Sequence, residues 1–193
     1  MQDDPRIRFA TTEEFAAWIE AQGDAPDGVW LLVPRKGSGL VGISYAEALQ
    51  VALAHGWIDG QRRGGDIEGV FLQRFTPQRR RSRWSQVNCA YAETLIAEGR
   101  MTPRGLAEVE AAKADGRWDA AYPPQSRATL PDELAAAFAA QPGAREFFDS
   151  LDSRNRFAVL NRYGSVTRPE TRQQTPCLVL EKIFTLLFVS REK

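Results

Sequence analysis

The stretch that marks the change from strand-like to helical sequence covers residues 55–88 and reads HGWIDGQRRGGDIEGVFLQRFTPQRRRSRWSQVN. Residues 70–75 read VFLQRF, a largely apolar run interrupted by Gln73 and Arg74 that is typical of a strand, and Pro77 ends the pattern. Trp57 begins a second, shorter apolar pattern, and the glycine-rich residues 60–69 predict a loop between the two. The stretch therefore predicts two strands that are followed by a helix.

The segments on either side extend this pattern into an α+β architecture. Upstream, helical periodicity with a capping residue begins at Thr11 and again at Ser44, residues 29–33 form an apolar strand, and residues 40–43 are a candidate return strand. Downstream, helices are predicted at residues 85–98, 103–115, 131–140, 142–150 and 153–163. The predicted fold is a small N-terminal β-sheet with helices, followed by an all-helical C-terminal half.

These elements predict how the chain is divided. Residues 1–125 form the α+β portion with the WIDG and FTPxRxxSxWS motifs, and residues 126–193 form a helical portion packed on it. A chain of 193 residues is long enough to build one compact domain whose core needs no metal and no disulfide.

Charge and the rarer residue types exclude several classes of function. The 25 basic residues balance the 25 acidic ones, so no overall field attracts nucleic acid, and we do not expect nucleic-acid binding. Two cysteines without a CxxC spacing and one histidine, His55, exclude a cysteine-based zinc site and any site that needs two imidazoles. The sequence contains no P-loop and no GxGxxG motif, so we predict neither a cofactor nor a metal.

Targeting signals are not evident in the sequence. The first residues, MQDDPR, lack the apolar core of a signal peptide, and the most hydrophobic run, residues 177–189, is interrupted by Glu181 and Lys182. We therefore expect a cytoplasmic protein without membrane insertion, in a reducing compartment that suits two unpaired cysteines. The sequence does not indicate an oligomeric state.

The clearest functional signal lies between Gln61 and Trp84. This segment holds seven arginines against two acidic residues, a local net charge of +5, interleaved with aromatic residues. Arginine binds carboxylate and phosphate through a rigid fork, and a helix N-terminus beside it adds N–H donors. Because Ser82 or Ser85 is a candidate N-cap of the next helix, the segment predicts a site for a small anionic ligand. A capped helix flanked by solvated arginines fits the same pattern.

Asp59 and His55 are the candidates for a catalytic role. Asp59 follows an apolar pair and precedes a glycine, a position where a carboxylate orients an arginine, caps backbone N–H groups or acts as a general base. His55 is either a proton carrier or the last residue of a helix, which we favour. A Ser–His–Asp assembly has no supporting GxSxG context, and Cys89 lies inside a predicted helix, where we expect a packing role.

Three motifs, in order and at fitting spacing, resemble the YdeI/OmpD-associated family, also called the bacteriocin-protection family. They are ALAHGWIDG at residues 52–60, RFTPQRRRSRWSQVN at residues 74–88 and LIAEGRMTPRGLAEVEAAKADGRWDAAY at residues 95–122. The resemblance extends from Phe9 to Arg172. The residues that match the family pattern one by one are Trp57, Asp59, Gly60, Phe75, Thr76, Pro77, Arg79, Ser82, Trp84, Ser85, Asn88, Gly99, Met101, Gly105, Arg168, Glu170, Thr171 and Arg172.

The sequence departs from the family pattern at two places. Gln78 stands where the family usually has arginine, so an anion site there loses one donor. After Arg172 the family continues with a basic helical segment, whereas this chain reads QQTPC.

The resemblance implies a mostly α-helical fold with a small sheet, and a role in resistance to antimicrobial peptides or bacteriocins. It also implies an association with an outer-membrane porin and brings no catalytic mechanism. The family is sometimes described as periplasmic, which disagrees with the N-terminus of this chain.

Two functional hypotheses follow, and neither decides whether a reaction is catalysed. In the first, a small anionic molecule binds a polar site. Its residues are Trp57, Asp59, Arg79, Ser82, Trp84, Ser85 and Asn88, with Arg168 and Arg172 from the helical half. In the second, the chain is a non-catalytic protein–protein interaction module linked to stress resistance. That module has the two tryptophans in its core and an exposed apolar patch rimmed by arginines.

Overall fold

The computed structural model describes residues 4–22 and 27–164, which fold into two compact units that divide after Ala121. The elements of the first unit are β1 (Arg6–Ile7), α1 (Thr12–Glu20), β2 (Val29–Pro34), α2 (Tyr45–Ala54), β3 (Trp57–Gly64), β4 (Val70–Pro77), α3 (Gln86–Ala97) and α4 (Pro103–Ala114). The elements of the second unit are a 3-10 turn (Gln125–Arg127), α5 (Asp132–Ala139), α6 (Ala144–Ser150) and α7 (Ser153–Gly164).

The four strands form one sheet in the order β1-β2-β4-β3, in which β1 runs parallel to β2 and the other neighbours are antiparallel. The hairpin of β3 and β4 contains a β-bulge, because the register shifts between Asp59, opposite Phe75, and Arg62, opposite Gln73. The buried Gln73 side chain donates hydrogen bonds to two carbonyls of the bulge, at 3.0 Å to Gly60 and 3.3 Å to Gln61. The bulge is therefore supported from within the sheet.

Helices α1 and α2 cover one face of the sheet and bury an aromatic core. The ring of Phe15 lies 5.7 Å from that of Phe75, and Trp18 lies 5.8 Å from Trp57. All except Trp18 are fully buried. These edge-on contacts fix how the first helix meets the start of β3 and the end of β4.

The start of α4 packs directly against the end of α2. The Ala54 carbonyl accepts hydrogen bonds from both the backbone N–H and the hydroxyl of Thr102, at 3.0 and 2.7 Å. A Cβ atom on Gly105 would clash with that carbonyl oxygen, so only glycine permits this approach.

The second unit has a smaller core of its own. Leu134 and Phe138 of α5, Ala144 and Phe148 of α6, and Tyr163 of α7 are buried in it. The rings of Phe138 and Phe148 lie 5.1 Å apart, so the two short helices are held together chiefly by this aromatic contact.

The α+β class and the five downstream helices are confirmed, and three details of the sheet differ from expectation. The return strand predicted at residues 40–43 is wrong, because β2 already pairs with β1 on one side and β4 on the other. The loop predicted at residues 60–69 is shorter, because the bulge lets β3 continue to Gly64. The two-residue strand β1 has no periodicity for a sequence pattern to detect. Within the described ranges, no helix is long and apolar enough to cross a bilayer.

Candidate functional site

Asp59 lies on the helix-covered face of β3 and accepts hydrogen bonds from side chains in the first turns of two helices. The Tyr45 hydroxyl, at the first residue of α2, donates to Asp59 Oδ2 at 2.8 Å, and the Asn88 side-chain amide, in the first turn of α3, lies 3.4 Å from Oδ1. Asp59 is half-buried and Asn88 is buried. These three hydrogen-bonded residues are here called the Asp59 cluster.

Ser85 is the N-cap of α3. It has an extended backbone, with φ −101 and ψ 151, and its hydroxyl accepts the backbone N–H of Asn88 at 3.0 Å. Ser82 has a different role, because its hydroxyl accepts the N–H of Arg79 at 2.8 Å and its own N–H donates to the Arg79 carbonyl at 2.7 Å. Of the two candidate caps, Ser85 is the cap, and Ser82 closes a turn within the basic loop (residues 79–83).

The basic loop is anchored by Arg117, in the turn that follows α4. Arg117 donates one hydrogen bond to the Ser82 carbonyl at 3.1 Å and two to the Asp115 carboxylate, at 2.9 and 2.8 Å. The hydrogen bonds from Arg117 hold the pKa of Asp115 below its usual range, and the charge of Arg80 adds to this effect. The exposed arginines of the loop therefore extend from a fixed backbone.

Trp57 and Trp84 are core residues rather than surface platforms. Both are almost completely buried, and the ring of Trp84 lies 4.9 Å from that of Trp118. In the part of the chain that the structure describes, neither indole Nε1 has a hydrogen-bond partner, and the buried Gln78 amide has none at either atom. Buried polar groups nearly always have a partner, so these three side chains need an explanation.

The three side chains adjoin the Asp59 cluster in chain and sheet. Trp57 precedes Asp59 by two residues on the same face of β3, and Gln78 follows Pro77, the sheet partner of Trp57. The Gln78 backbone N–H donates to the Gly56 carbonyl at 2.9 Å. Trp84 immediately precedes the N-cap of α3. Of the sequence-predicted residues, Trp57 and Asp59 thus lie at the start of β3, and Trp84, Ser85 and Asn88 lie at the start of α3.

His55 and Cys89 are held in structural roles. One ring nitrogen of His55, the C-cap of α2, lies 2.8 Å from the Val51 carbonyl, and the other lies 3.2 Å from Glu20. Both nitrogens are thereby used away from Asp59. Burial raises the pKa of the Cys89 thiol to about 11, so at neutral pH it is not a nucleophilic thiolate.

The other arginines of the segment serve different purposes. Arg74 forms an ion pair with the buried Asp4, which ties the N-terminal residues to β4. The guanidinium of Arg62 lies 3.7 Å from the centre of the Phe71 ring, and that of Arg63 lies 4.5 Å from the Trp30 ring. The charge excess seen in the sequence is therefore divided among separate places on the unit.

Two of the predicted site residues, Arg168 and Arg172, lie outside the described residues. In the described ranges, no three His, Cys, Asp or Glu side chains come together as a metal site. Sequence reasoning missed Tyr45, which no local pattern connects to Asp59, since only the packing of α2 on β3 brings them together.

Comparison with known proteins supports the resemblance to the YdeI/OmpD-associated family in part of the chain. Residues 127–175 match the family model described as "Bacteriocin-protection, YdeI or OmpD-Associated". Residues 7–108 match a separate model, described as "Domain of unknown function (DUF8412)", and include the WIDG and FTPxRxxSxWS motifs. No curated protein and no solved structure matches the chain significantly. The chain therefore belongs to the DUF8412 family, whose model spans more than half of its length, and carries in residues 127–175 a match to the bacteriocin-protection, YdeI or OmpD-associated family.

Proposed function

We propose that the first unit binds a small anionic molecule beside the Asp59 cluster. The observation that carries the proposal is the set of buried polar side chains without a protein partner in the described chain, Trp57, Gln78 and Trp84, which are close to the residues of the cluster in the sheet register and along the chain. An unpaired buried donor or acceptor costs about 1–3 kcal/mol of folding free energy. A fold that contains several such atoms is therefore stabilised by a molecule that forms hydrogen bonds with them.

The chemistry of these groups defines the kind of molecule. Indole N–H groups only donate, and the Gln78 amide donates as well as accepts, so carboxylate or phosphate oxygens suit them. Asp59 retains acceptor capacity beyond its bonds to Tyr45 and Asn88 and suits a hydroxyl or amine of the same molecule. In this proposal Arg79 provides the local positive charge, Ser82 sets its loop, and Ser85 keeps α3 in place.

Binding rather than turnover is what these groups support. The single histidine is engaged by Val51 and Glu20, and the Cys89 thiol is protonated at neutral pH. Asp59 is held by two neutral donors rather than by a base or a nucleophile. The proposal therefore assigns no reaction.

A thermal-unfolding panel on the full chain tests the proposal. The probes are inorganic phosphate, citrate, nucleoside monophosphates and sugar phosphates, each at low and at moderate salt. A ligand present at about 100 times its dissociation constant stabilises a fold by about 2.7 kcal/mol, which raises the melting temperature by several degrees. We expect one class of anion to give a salt-tolerant shift that Arg79→Ala reduces.

The matched control is Arg100→Ala, which removes an exposed arginine paired with Glu98 outside the site. This variant is expected to keep the full ligand shift. A panel without any shift, or a shift that both variants lose equally, would contradict the proposed site.

The description of the second family as a bacteriocin-protection family supports a protective role for this binding, and we include protection against a bacteriocin in the proposal. A strain that lacks the gene is expected to become more sensitive to a bacteriocin. Restoring the wild-type chain should reverse this sensitivity, and restoring a variant that folds but has lost the ligand shift should not. Equal protection by both chains would separate the protective role from the site.

A further inference from the structure

A second surface lies at the turn of the β3–β4 hairpin, at the other end of the strands from the Asp59 cluster. Two loops meet there, because the backbone N–H of Arg35, which follows β2, donates to the Gly69 carbonyl in the hairpin turn at 2.7 Å. They enclose an open cleft of about 460 Å³, whose lining includes Arg35, Lys36, Leu40 and Glu68. We call the surface formed by Arg35, Lys36, Leu40, Val41, Arg62 and Ile67 the hairpin-tip surface.

Aromatic rings orient the cations of this surface. The guanidinium of Arg62 lies 3.7 Å from the centre of the Phe71 ring, and that of Arg35 lies 5.8 Å from the same ring. Stacking leaves the N–H groups of a guanidinium free at its rim, ready for a carboxylate. Within the described residues, no carboxylate forms an ion pair with Arg35, Lys36 or Arg62.

Aliphatic side chains are exposed beside these cations. Val41 is 72% exposed, Ile67 52% and Leu40 37%, and they account for three of the five large hydrophobic residues exposed in the described chain. The two loops touch, since a Cβ atom on Gly69 would lie 3.6 Å from the Leu40 side chain. Exposed aliphatic residues rimmed by polar groups are typical of a surface that binds a partner.

The strand beside this surface has an open edge. In the described sheet β3 is the last strand and pairs only with β4. Beyond the bulge its residues Arg62, Arg63 and Gly64 are exposed. An extended segment of another chain can bind beside such an edge, next to Arg62.

We propose that the hairpin-tip surface binds an extended, acidic segment of a partner protein in which carboxylates alternate with aliphatic residues. The carboxylates pair with Arg62 and Arg35, and an aliphatic side chain lies against Leu40 and Ile67. Charge complementarity and the concave cleft favour such a segment over an anionic bilayer. A peptide side chain can lie against Ile67 while the flanking Asp66 and Glu68 stay in water, whereas insertion of Ile67 into an anionic bilayer would bring both carboxylates among the lipid headgroups.

Fluorescence anisotropy with the full chain tests this proposal. The probe is a labelled eight-residue peptide of alternating glutamate and isoleucine, and the control peptide carries lysine in place of glutamate. We expect saturable binding of the acidic peptide only. Arg62→Ala and Ile67→Ser should each weaken it about tenfold, while the matched control Arg80→Ala, in the basic loop, should leave it unchanged.

Each contrary outcome overturns the proposal. Equal binding of both peptides would show that the hydrophobic residues act without charge recognition, and equal loss in Arg80→Ala would show a non-specific effect of charge. Sedimentation with phosphatidylserine vesicles that depends on Ile67, without binding of the peptide, would assign the surface to a membrane instead. Thermal unfolding of each variant checks that the fold is intact. Since this surface shares no residue with the Asp59 cluster, loss of the peptide leaves the proposed ligand site untouched.

Discussion

Both ends of the β3–β4 hairpin combine polar with hydrophobic residues, but these residues are largely buried at one end and exposed at the other. At the end where β3 begins, Trp57 is buried and Asp59 binds the side chains of two helices. At the turn, Arg62 stacks on a ring at the surface and Ile67 is exposed. Polar atoms without a protein partner are buried at the first end, whereas cations and aliphatic groups face solvent at the second.

The comparison shows that coverage by helices determines whether a polar side chain affects stability or is available for binding. Helices α1, α2 and α3 exclude solvent from the start of β3, so an unsatisfied polar atom there carries a free-energy cost. At the turn no such cost arises, and a charged side chain is free to serve recognition. Substitutions of buried residues at the first end should therefore change stability as well as ligand binding, and substitutions at the second should change binding with little effect on stability.

The largest expected effect is on Asp59. Asp59→Ala removes the carboxylate that accepts hydrogen bonds from the Tyr45 hydroxyl and the buried Asn88 amide, and should lower the free energy of unfolding by about 3 kcal/mol. Asp66→Ala at the turn is the matched control. It removes an exposed pair with Arg6 and should cost less than about 0.5 kcal/mol. Guanidinium unfolding curves measure both, and equal losses would remove the contrast between the two ends.

The second prediction concerns Gln78, whose buried amide has no protein partner in the described chain. Gln78→Leu removes the unsatisfied atoms at similar volume and should stabilise the free protein by about 1 kcal/mol. The same change should abolish the stabilisation by the anion that the thermal panel identifies. The exposed Gln61, changed to Leu, provides the control and should alter neither quantity. A Gln78→Leu protein that is more stable and still responds to the ligand would show that Gln78 destabilises the free protein without contributing to ligand binding.

Much of the fold could be predicted from the sequence because its signals are local. Helical periodicity and capping serines depend on residues three or four positions apart, and α3 and α4 begin within a residue or two of the predicted positions. The sheet was harder to predict. The bulge that extends β3 depends on Gln73 from the neighbouring strand, and the candidate return strand at residues 40–43 failed because β2 has no free edge.

The candidate site was predictable in its position but not in its contacts. Asp59 and Ser85 could be selected from the sequence, since a strand end and a helix cap have recognisable patterns, whereas Asn88 was selected only through the resemblance to a known family. The different partners of the arginines could not be predicted, because they are distant in sequence. Arg74 binds Asp4, seventy positions away, and Arg62 stacks on the Phe71 ring across the hairpin. The local composition gives the total charge of the segment but does not show which side chains the arginines contact in the fold.

Asp4 and Arg74 allow a third test between the two ends of the hairpin. Arg74 donates a hydrogen bond to Asp4 and, with the Gly28 N–H, holds the pKa of this carboxyl below its ordinary value of 3.8. A depressed pKa in the folded state stabilises the fold above the unfolded pKa, and this contribution is lost as pH falls through the folded pKa. Asp4→Asn keeps an acceptor for Gly28 and should cost about 1 kcal/mol at pH 7. The difference from wild type should shrink below about pH 4, and a difference that is constant down to pH 2 would exclude the ion pair as its cause.

The smallest expected change in stability is at Arg62. A guanidinium stacked on a ring at the surface contributes about 0.5–1 kcal/mol, and the flexible arginine loses side-chain entropy in holding that position. Arg62→Ala should therefore shift the free energy of unfolding by about 0.5 kcal/mol or less while it weakens binding of the acidic peptide. Arg62→Lys separates charge from geometry, because lysine keeps the charge without the planar fork and should recover only part of the peptide affinity. Full recovery by lysine would mean that the turn offers only a positive field, and the ring beneath Arg62 would then have no part in recognition.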